Sequence, residues 1–332
     1  MVKTKMEDLI FECRICSNKK NNKSFEAKEM MFGTRDSFIY FQCDACNCLQ
    51  IADFPPNISK YYPQNYNGHE SSSESPFKGL KGKFRKIRYN STLFPKSTLN
   101  KIINKIFPTE QYEILGKKID LNLNIKILDV GGGGGSYLMP LYELGIKNTL
   151  VIDPFVTSGT DKPNALKIVK GYIFDLNDKW DVIMYNHSFE HVPDPLENLL
   201  AVQKLMDIDG TCIIRIPTVS SFAWKHYKTN WFQLDAPRHF FLHSVESINL
   251  LADKAGLEVV DIIYDSSYIQ FTGSENYKNN IAMNEKSTQT LFSYFKKKFN
   301  NIKYGIKASH LNKINQGDQA AFFLKKKLIN TN

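Results

Sequence analysis

Five consecutive glycines, Gly131–Gly135, form the segment of this sequence with the clearest chemical meaning. They follow the apolar stretch Ile125–Val130 and precede Ser136–Leu144, which carries leucines at helical intervals and ends at Gly145. This order predicts a buried parallel strand, a glycine turn and a helix. Such a turn lets backbone amides approach a ligand closely and directs a helix N-terminus at an anionic group.

Acidic residues near the glycines distinguish between two classes of ligand. A dinucleotide pattern begun at Gly131 would need glycine or alanine at position 136, where the chain has Ser136. Asp153 lies 18 residues after Gly135, at the end of a second apolar stretch, where a carboxylate can accept hydrogen bonds from both hydroxyls of a ribose. The pattern Asp-x-Gly-x-Gly-x-Gly is complete, as Asp129, Gly131, Gly133 and Gly135. Together these motifs resemble the class I S-adenosylmethionine-dependent methyltransferases.

The resemblance implies a cofactor site and a fold. S-adenosylmethionine would bind at the glycine turn, with Asp129 near its amino group, Asp153 on its ribose and Asp175 near its adenine. The implied fold is α/β, a Rossmann-like seven-stranded sheet in the order 3-2-1-4-5-7-6 with its last strand antiparallel. A polar insertion, 274–316, would precede the last strand. The apolar stretches that would form the strands are 125–130, 150–153, 165–169, 181–185, 210–217, 257–264 and 320–324.

Cysteines are concentrated in the first 50 residues. Two Cys-x-x-Cys pairs, Cys13/Cys16 and Cys43/Cys46, are separated by 26 residues, which is enough for a β-hairpin with a strand at Ser37–Gln42. Four thiolates at such spacing predict a tetrahedral Zn²⁺ site, which is structural because no coordination position stays open. Cys48 could replace Cys46 as the fourth ligand. Disulfides are the weaker interpretation because no export signal precedes these residues.

The chain divides into three predicted regions. A Cys₄ zinc-binding module covers 1–55, an aromatic lid and helical linker covers 56–115, and the methyltransferase domain covers 116–332. The aromatic segment Asp53–His69 either covers the substrate or docks the zinc module onto the main domain. Residues 77–88 alternate apolar and basic side chains at helical spacing, which could bind an anionic membrane surface or phosphates. We expect instead that this apolar face packs on the main domain.

Three histidines are candidates for a catalytic base: His239 first, then His191 and His187. Methyl transfer to a hydroxyl requires a group that removes its proton, and imidazole suits this at neutral pH. All three are expected at the ligand-binding edge of the sheet, His239 within an aromatic segment that begins at Trp224. For each, a structural histidine bonded to backbone is an equally open interpretation. Arg238 could orient a phosphate or carboxylate of the substrate.

The segment from His187 to Pro195 also contains the inverted zinc-protease motif His-x-x-Glu-His. That motif needs both histidines on one face of a helix. A buried strand precedes the segment, and Pro193 and Pro195 follow it, so a helix has no room to form. The protease interpretation is therefore rejected, and the wording Glu-His-Val-x-Asp-Pro resembles the loop after strand four of class I methyltransferases.

Composition restricts the substrate less sharply. The net charge is +9, and no run of about 18 apolar residues predicts a membrane span, so we expect a cytoplasmic protein with at most peripheral membrane contact. A Cys₄ module before such a domain resembles bacterial methyltransferases of sugars, surface-glycan precursors or secondary metabolites. We therefore expect O- or C-methylation of a small molecule, a phosphate- or nucleotide-linked sugar, without a stable nucleic acid partner. An RNA methyltransferase and a catalytically inactive cofactor-binding scaffold are the alternatives.

Overall fold

The structure is a computed structural model that describes residues 10–62, 75–156, 165–285 and 291–327. Its strands are β1 Lys23–Lys28, β2 Ser37–Gln42, β3 Leu49–Ile51, β4 Ile127–Val130, β5 Thr149–Asp153, β6 Lys167–Lys170, β7 Trp180–Asn186, β8 Met206–Pro217, β9 Phe241–Leu242, β10 Leu257–Tyr264 and β11 Gln319–Lys326. Its α-helices are α1 Gly79–Leu93, α2 Thr98–Ile106, α3 Glu110–Lys118, α4 Met139–Glu143, α5 Pro195–Leu205, α6 Phe222–Tyr227, α7 Val245–Lys254, α8 Ile269–Lys278 and α9 Leu291–Lys313. No helix within these ranges is both long and apolar enough to cross a membrane.

The larger sheet has seven strands in the order β6-β5-β4-β7-β8-β11-β10. Numbered along the chain within the sheet, this is 3-2-1-4-5-7-6, and the predicted fold class is confirmed. β4 pairs in parallel with β5 and β7, and β10 and β11 pair antiparallel. Every residue of β4 and β5 is buried, as expected for central parallel strands. β8 begins at Met206, four residues before the strand that was predicted from Gly210.

The smaller sheet has four strands in the order β1-β2-β3-β9. β1 and β2 form the hairpin predicted between the two Cys-x-x-Cys pairs. β3 pairs antiparallel with β9, so that Leu49 lies opposite Leu242. Segments nearly 200 positions apart in the sequence therefore share one sheet.

The aromatic segment after β8 belongs to the core around this smaller sheet. Trp224 and Trp231 are buried in one apolar cluster with Tyr40 and Leu49. The indole Nε1 of Trp231 also donates to the carboxylate of buried Asp318 (2.9 Å). We expected these rings at a ligand-binding edge. That expectation was wrong for both tryptophans, because Tyr40 of β2 and Leu49 of β3 pack with them in the apolar cluster.

The described residues group into two compact units, each discontinuous in sequence. Unit 1 comprises the described parts of 1–64, 189–200 and 214–332, and unit 2 comprises those of 65–188 and 201–213. Unit 1 contains the smaller sheet, and unit 2 contains the glycine turn. The domain boundaries expected from the sequence, at 55 and 115, stay predictions. In the expected insertion 274–316, α8 ends and α9 forms, while 286–290 lie outside the described residues.

Helix α1 differs from expectation in its surroundings. Its predicted apolar face is exposed, with Leu80 85% accessible to solvent and Phe84 and Ile87 about half accessible. The residues that α1 buries lie in its first turn and at its C-terminal end, away from this face: Gly82, Ser91, Thr92 and Leu93. The expectation that the apolar face packs on the main domain was therefore wrong.

Candidate active site

The glycine turn after β4 has the conformation that its pattern predicts. Gly131, Gly133 and Gly135 all adopt positive φ angles, of 72°, 53° and 76°. A Cβ atom on Gly131 would lie 2.5 Å from the Cβ of Ser188, so a larger residue has no room there. Backbone conformation and close packing thus both require glycine at this position.

Asp153 holds this turn against the end of β5. Its side chain is buried, and its Oδ2 accepts a hydrogen bond from the backbone N–H of Gly133 (2.9 Å). Its Oδ1 accepts from the N–H of Phe155 (2.7 Å). Each carboxylate oxygen can accept more than one hydrogen bond, so this carboxylate can fix the loop and still accept from a ligand hydroxyl.

Asp129 is buried at the base of the turn without a hydrogen-bond donor. Its side chain is 1% exposed, and within the described residues neither of its carboxylate oxygens has a partner. Burial, together with the negative charge of Asp153, raises the pKa of Asp129 to about 7. A buried carboxylate of this kind fits a ligand that brings a cationic N–H donor, and the amino group of S-adenosylmethionine is such a donor.

Two further expectations concern the rim of this site. The helix expected directly after the glycines begins only at Met139 and has five residues, because Pro140 restricts its first turn. The expectation that the N-terminus of this helix faces an anion stays a prediction. Asp175 is exposed, and its Oδ2 accepts from the backbone N–H of Tyr172 (2.8 Å) in a 3₁₀ turn. Its role near an adenine stays a prediction.

In unit 1, the structure brings His191 and His239 together. Their ring centroids lie 4.8 Å apart. Nδ1 of His191 lies 2.8 Å from the carbonyl oxygen of Arg238, and Nδ1 of His239 lies 2.8 Å from that of Gln233. A carbonyl oxygen can only accept a hydrogen bond, so each Nδ1 carries the proton. Both Nε2 atoms are then left with a lone pair that can accept a proton or a hydrogen bond.

Two carboxylates accompany this histidine pair. Nε2 of His239 lies 3.8 Å from Oε1 of Glu190 and 3.7 Å from Oδ2 of Asp235. Burial lowers the pKa of His239 to about 4, so this ring is neutral at neutral pH and is a weak base. His191 is only half-buried. The sequence reasoning named the histidines but missed both acids, although each lies within four positions of one of these histidines.

His187, the third histidine candidate, belongs to unit 2. It is half-buried and has a positive φ of 54°. The residues after it form a single 3₁₀ turn, Phe189–His191, and not an α-helix. This geometry agrees with rejection of the protease motif, because the two histidines do not share a helical face.

Arg238 is fully engaged within unit 1. Its side chain is 1% exposed, and its guanidinium donates to the carboxylates of Asp235 and Glu29 and to the carbonyl oxygen of Tyr61 (3.0 Å). The guanidinium also lies over the ring of Phe32. Our expectation that Arg238 orients a phosphate or carboxylate of the substrate was therefore wrong, because Asp235 and buried Glu29 already accept from its guanidinium.

The four cysteines of the two pairs form one cluster. The Sγ atoms of Cys13 and Cys46 are 3.5 Å apart, as are those of Cys16 and Cys43, and all four lie within 4.8 Å of one another. Sulfur ligands of a tetrahedral zinc ion are about 3.8 Å apart. A hydrogen bond from Cys46 lowers the pKa of Cys13 to about 5, and Nε2 of Gln50 also donates to the Cys13 sulfur (2.9 Å).

Cys48 does not belong to this cluster. Its Sγ lies 3.6 Å from the carbonyl oxygen of Leu242 and 3.9 Å from Nδ1 of His243, both within unit 1. The sequence left Cys46 and Cys48 open as the fourth ligand, and the geometry groups Cys46 with the other three thiols. Cys212 is fully buried in β8, as expected for an apolar core residue.

Part of the predicted aromatic lid is described. Tyr61 packs edge to face on Phe38 of the hairpin (ring centroids 5.3 Å apart), and its hydroxyl donates to Asp36 (2.8 Å). The Tyr62 hydroxyl lies 3.4 Å from Nδ1 of His191. Residues 63–69, with Tyr66, lie outside the described residues, so the lid stays a prediction. The described part docks on the hairpin.

Comparison with protein families gives one match. A family whose description is "Methyltransferase domain" matches residues 95–262, which is just over half of the chain. This range contains the glycine turn, Asp153 and the histidine motif after β7. The comparison with curated proteins finds no match.

Two solved structures are similar to the chain at low identity. An S-adenosylmethionine-dependent methyltransferase from Archaeoglobus fulgidus is 18% identical, covering 70% of this chain and 100% of its own, with a TM-score of 0.41. The cyclopropane synthase MmaA2 from Mycobacterium tuberculosis is 14% identical, covering 82% of this chain and 100% of its own, with a TM-score of 0.44.

Proposed function

Because this chain belongs to the methyltransferase domain family and is an S-adenosylmethionine-dependent methyltransferase, we propose that it methylates a small molecule on oxygen or carbon. The acceptor class we propose is a sugar or a precursor of a surface glycan or secondary metabolite. The observation that carries this proposal is the group of two imidazoles and two carboxylates around His191 and His239. Such a group can take up the proton that a hydroxyl or an activated C–H loses.

The cofactor would be held by residues of unit 2. S-adenosylmethionine supplies an electrophilic methyl group on a sulfonium, and the protein must bind it and hold the acceptor. Asp129 would accept hydrogen bonds from its amino group, because the buried oxygens of that side chain otherwise have no described donor. Asp153 would accept from the ribose hydroxyls while it holds the turn. The positive φ angles of the turn favour glycine, and because glycine has no side chain the cofactor can approach the backbone of the turn closely.

The acceptor would be deprotonated by His191, with His239 as a second candidate and His187 as a third. His191 is half-buried, and its Nε2 keeps a lone pair because its Nδ1–H donates to a backbone carbonyl. His239 is placed second because its lowered pKa makes it a weaker base. The net charge of +9 supports a phosphate- or nucleotide-linked form of the sugar.

We also propose that Cys13, Cys16, Cys43 and Cys46 bind a structural Zn²⁺. All four side chains are thiols without a disulfide, and their sulfur atoms lie within the span of a tetrahedral site. A site with four protein ligands has no open position for substrate, so the ion would stabilise unit 1 and take no part in the reaction. Metal analysis of the purified chain should find about one zinc per chain.

The direct test supplies methyl-labelled S-adenosylmethionine with separated glycan, RNA and small-molecule fractions. We expect label in sugar-containing material, at least about 100-fold less with His191→Gln, and an unchanged rate with His310→Gln. His310 is exposed on α9 and serves as the matched histidine control. Label in RNA alone would contradict the proposed substrate, and cofactor binding without any labelled product would favour the inactive scaffold.

A further inference from the structure

The helix pair α1–α2 presents its apolar side chains to solvent. Leu80 is 85% exposed, Leu99 66% and Ile106 61%. The spacing of Leu80, Phe84 and Ile87 on α1, and of Leu99, Ile102 and Ile106 on α2, places each set on one helical face. Several large apolar side chains exposed on one helical face are typical of an interaction site in a folded protein.

Polar side chains form two of the contacts between the helices. The hydroxyl of Thr92 donates to the side-chain oxygen of Asn104 (2.7 Å). The side-chain amide of Asn100 donates to the carbonyl oxygen of Phe94 at the end of α1 (2.9 Å). α2 has no buried residue at all. Leu93 is the one aliphatic side chain that α1 buries, whereas Leu80, Leu99 and Ile106 remain exposed and are available to another surface.

The charge of this segment identifies the kind of surface. Residues 75–109 contain nine Lys or Arg and no Asp or Glu, a formal charge of +9 that equals the net charge of the whole chain. Lys81, Lys83, Lys86, Lys101 and Lys105 are all exposed on the same two helices. Exposed aliphatic side chains accompanied by lysines are complementary to a lipid bilayer, which has an apolar interior and can carry anionic headgroups.

We propose that the α1–α2 pair docks on an anionic lipid bilayer, with its leucines and isoleucines at the headgroup boundary and its lysines on the lipid phosphates. RNA would offer the same phosphates, but it is bound through exposed aromatic rings on which bases stack. Here the most exposed apolar side chains are aliphatic, with Leu80 at 85% and Leu99 at 66%, whereas the half-exposed ring of Phe84 packs edge to face on Phe107. A second copy of the chain would bring an equal positive charge, which repels.

Flotation of the full chain with phosphatidylcholine vesicles, with and without phosphatidylglycerol, tests this proposal. We expect binding to the anionic vesicles only, and weaker binding as salt increases. Each lysine near such a surface contributes roughly a fivefold factor to partitioning, so Lys81→Glu with Lys101→Glu should weaken binding at least about 25-fold. Lys126→Glu, at an exposed position of unit 2 outside the helix pair, should bind as the unmodified chain does.

The apolar contribution needs its own variant. Leu80→Ser with Leu99→Ser and Ile106→Ser keeps every charge and should weaken binding at least about tenfold. Leu123→Ser with Ile208→Ser removes exposed apolar side chains elsewhere in unit 2 and is the matched control. Because all five positions are exposed, we expect unchanged thermal unfolding for both variants. The variant Leu80→Trp gives a second readout, since its fluorescence should shift to the blue when anionic vesicles are added.

Several results would overturn the proposal. Equal binding to both kinds of vesicle would show that the lysines do not contribute to lipid binding. No binding to anionic vesicles would contradict the proposal as a whole. Unchanged binding of the triple serine variant, together with unshifted fluorescence of the Leu80→Trp variant, would show that the aliphatic side chains do not enter lipid. Displacement from vesicles by RNA, with tight RNA binding that the serine substitutions leave intact, would assign the surface to nucleic acid.

Discussion

Replacement of Asp129 by asparagine tests the buried carboxylate at the glycine turn. Burial raises the pKa of this group from its ordinary 3.8 to about 7, so the folded chain binds the proton more tightly than the unfolded chain does. Ionisation of Asp129 therefore destabilises the folded chain. The free energy of unfolding falls progressively as the pH rises from about 3.8 to 7. At one pK unit per 1.36 kcal/mol, the cost is about 2 kcal/mol at pH 5 and about 4 kcal/mol at pH 8.

The variant Asp129→Asn removes this ionisation while it keeps the shape of the side chain. Its buried amide has a cost of its own, about 1–3 kcal/mol, but this cost does not depend on pH. At each pH we therefore take the difference between the unfolding free energies of the variant and the unmodified chain. The informative quantity is how much this difference changes from pH 5 to pH 8. We expect this change to favour the variant by about 2–3 kcal/mol.

Urea unfolding of both proteins without cofactor, at pH 5 and pH 8, measures the effect. Asp178→Asn, at an exposed position of unit 2, is the matched control and should leave the pH dependence unchanged. Calorimetric titration with S-adenosylhomocysteine adds an independent readout, because a donor on the cofactor should bind the ionised carboxylate. Affinity should then fall as the pH drops below about 7, and Asp129→Asn should remove this dependence. Parallel pH profiles for Asp129→Asn and the unmodified chain would refute the reasoning.

Three further substitutions probe the remaining contacts. Gly131→Ala should destabilise unit 2 by about 2–4 kcal/mol in urea unfolding, because its Cβ meets Ser188 and its φ is positive, and an equal stability would contradict the described turn. Asp153→Ala should weaken S-adenosylhomocysteine binding at least about tenfold in calorimetry, and unchanged affinity would remove the ribose assignment. Cys13→Ser should release zinc in metal analysis and lower the stability of unit 1 while the cofactor still binds, and full metal content would exclude Cys13 as a ligand.

Local patterns allowed much of the fold to be predicted. The central strands β4 and β5 are short apolar stretches, and parallel strands buried on both faces need nothing more than that. The glycine positions were predictable because positive φ excludes most other residues. The β1–β2 hairpin followed from the distance between two cysteine pairs, which must come together to bind one ion.

What could not be predicted depends on contacts between distant parts of the chain. Periodicity shows which side of α1 is apolar but not whether another element covers it, and here Leu80, Phe84 and Ile87 are about half or more exposed. Trp231 was expected near a ligand because the sequence around it gives no sign that β3 pairs with β9. Arg238 was assigned to a substrate for the same reason, since its partner Glu29 is 209 positions away.

The pairing of β3 with β9 connects the thiol cluster to the imidazole pair. Cys46 lies just before β3, and its carbonyl oxygen accepts a hydrogen bond from the hydroxyl of Ser244, just after β9. Tyr40, in the neighbouring strand, donates to the carbonyl oxygen of His239 (2.8 Å). If the proposed zinc occupies the cysteine cluster and the proposed base acts beside His239, a chelator or a thiol oxidant should slow turnover by loosening the segment that carries His239. Such an agent would act as a remote inhibitor, noncompetitive with the methyl donor.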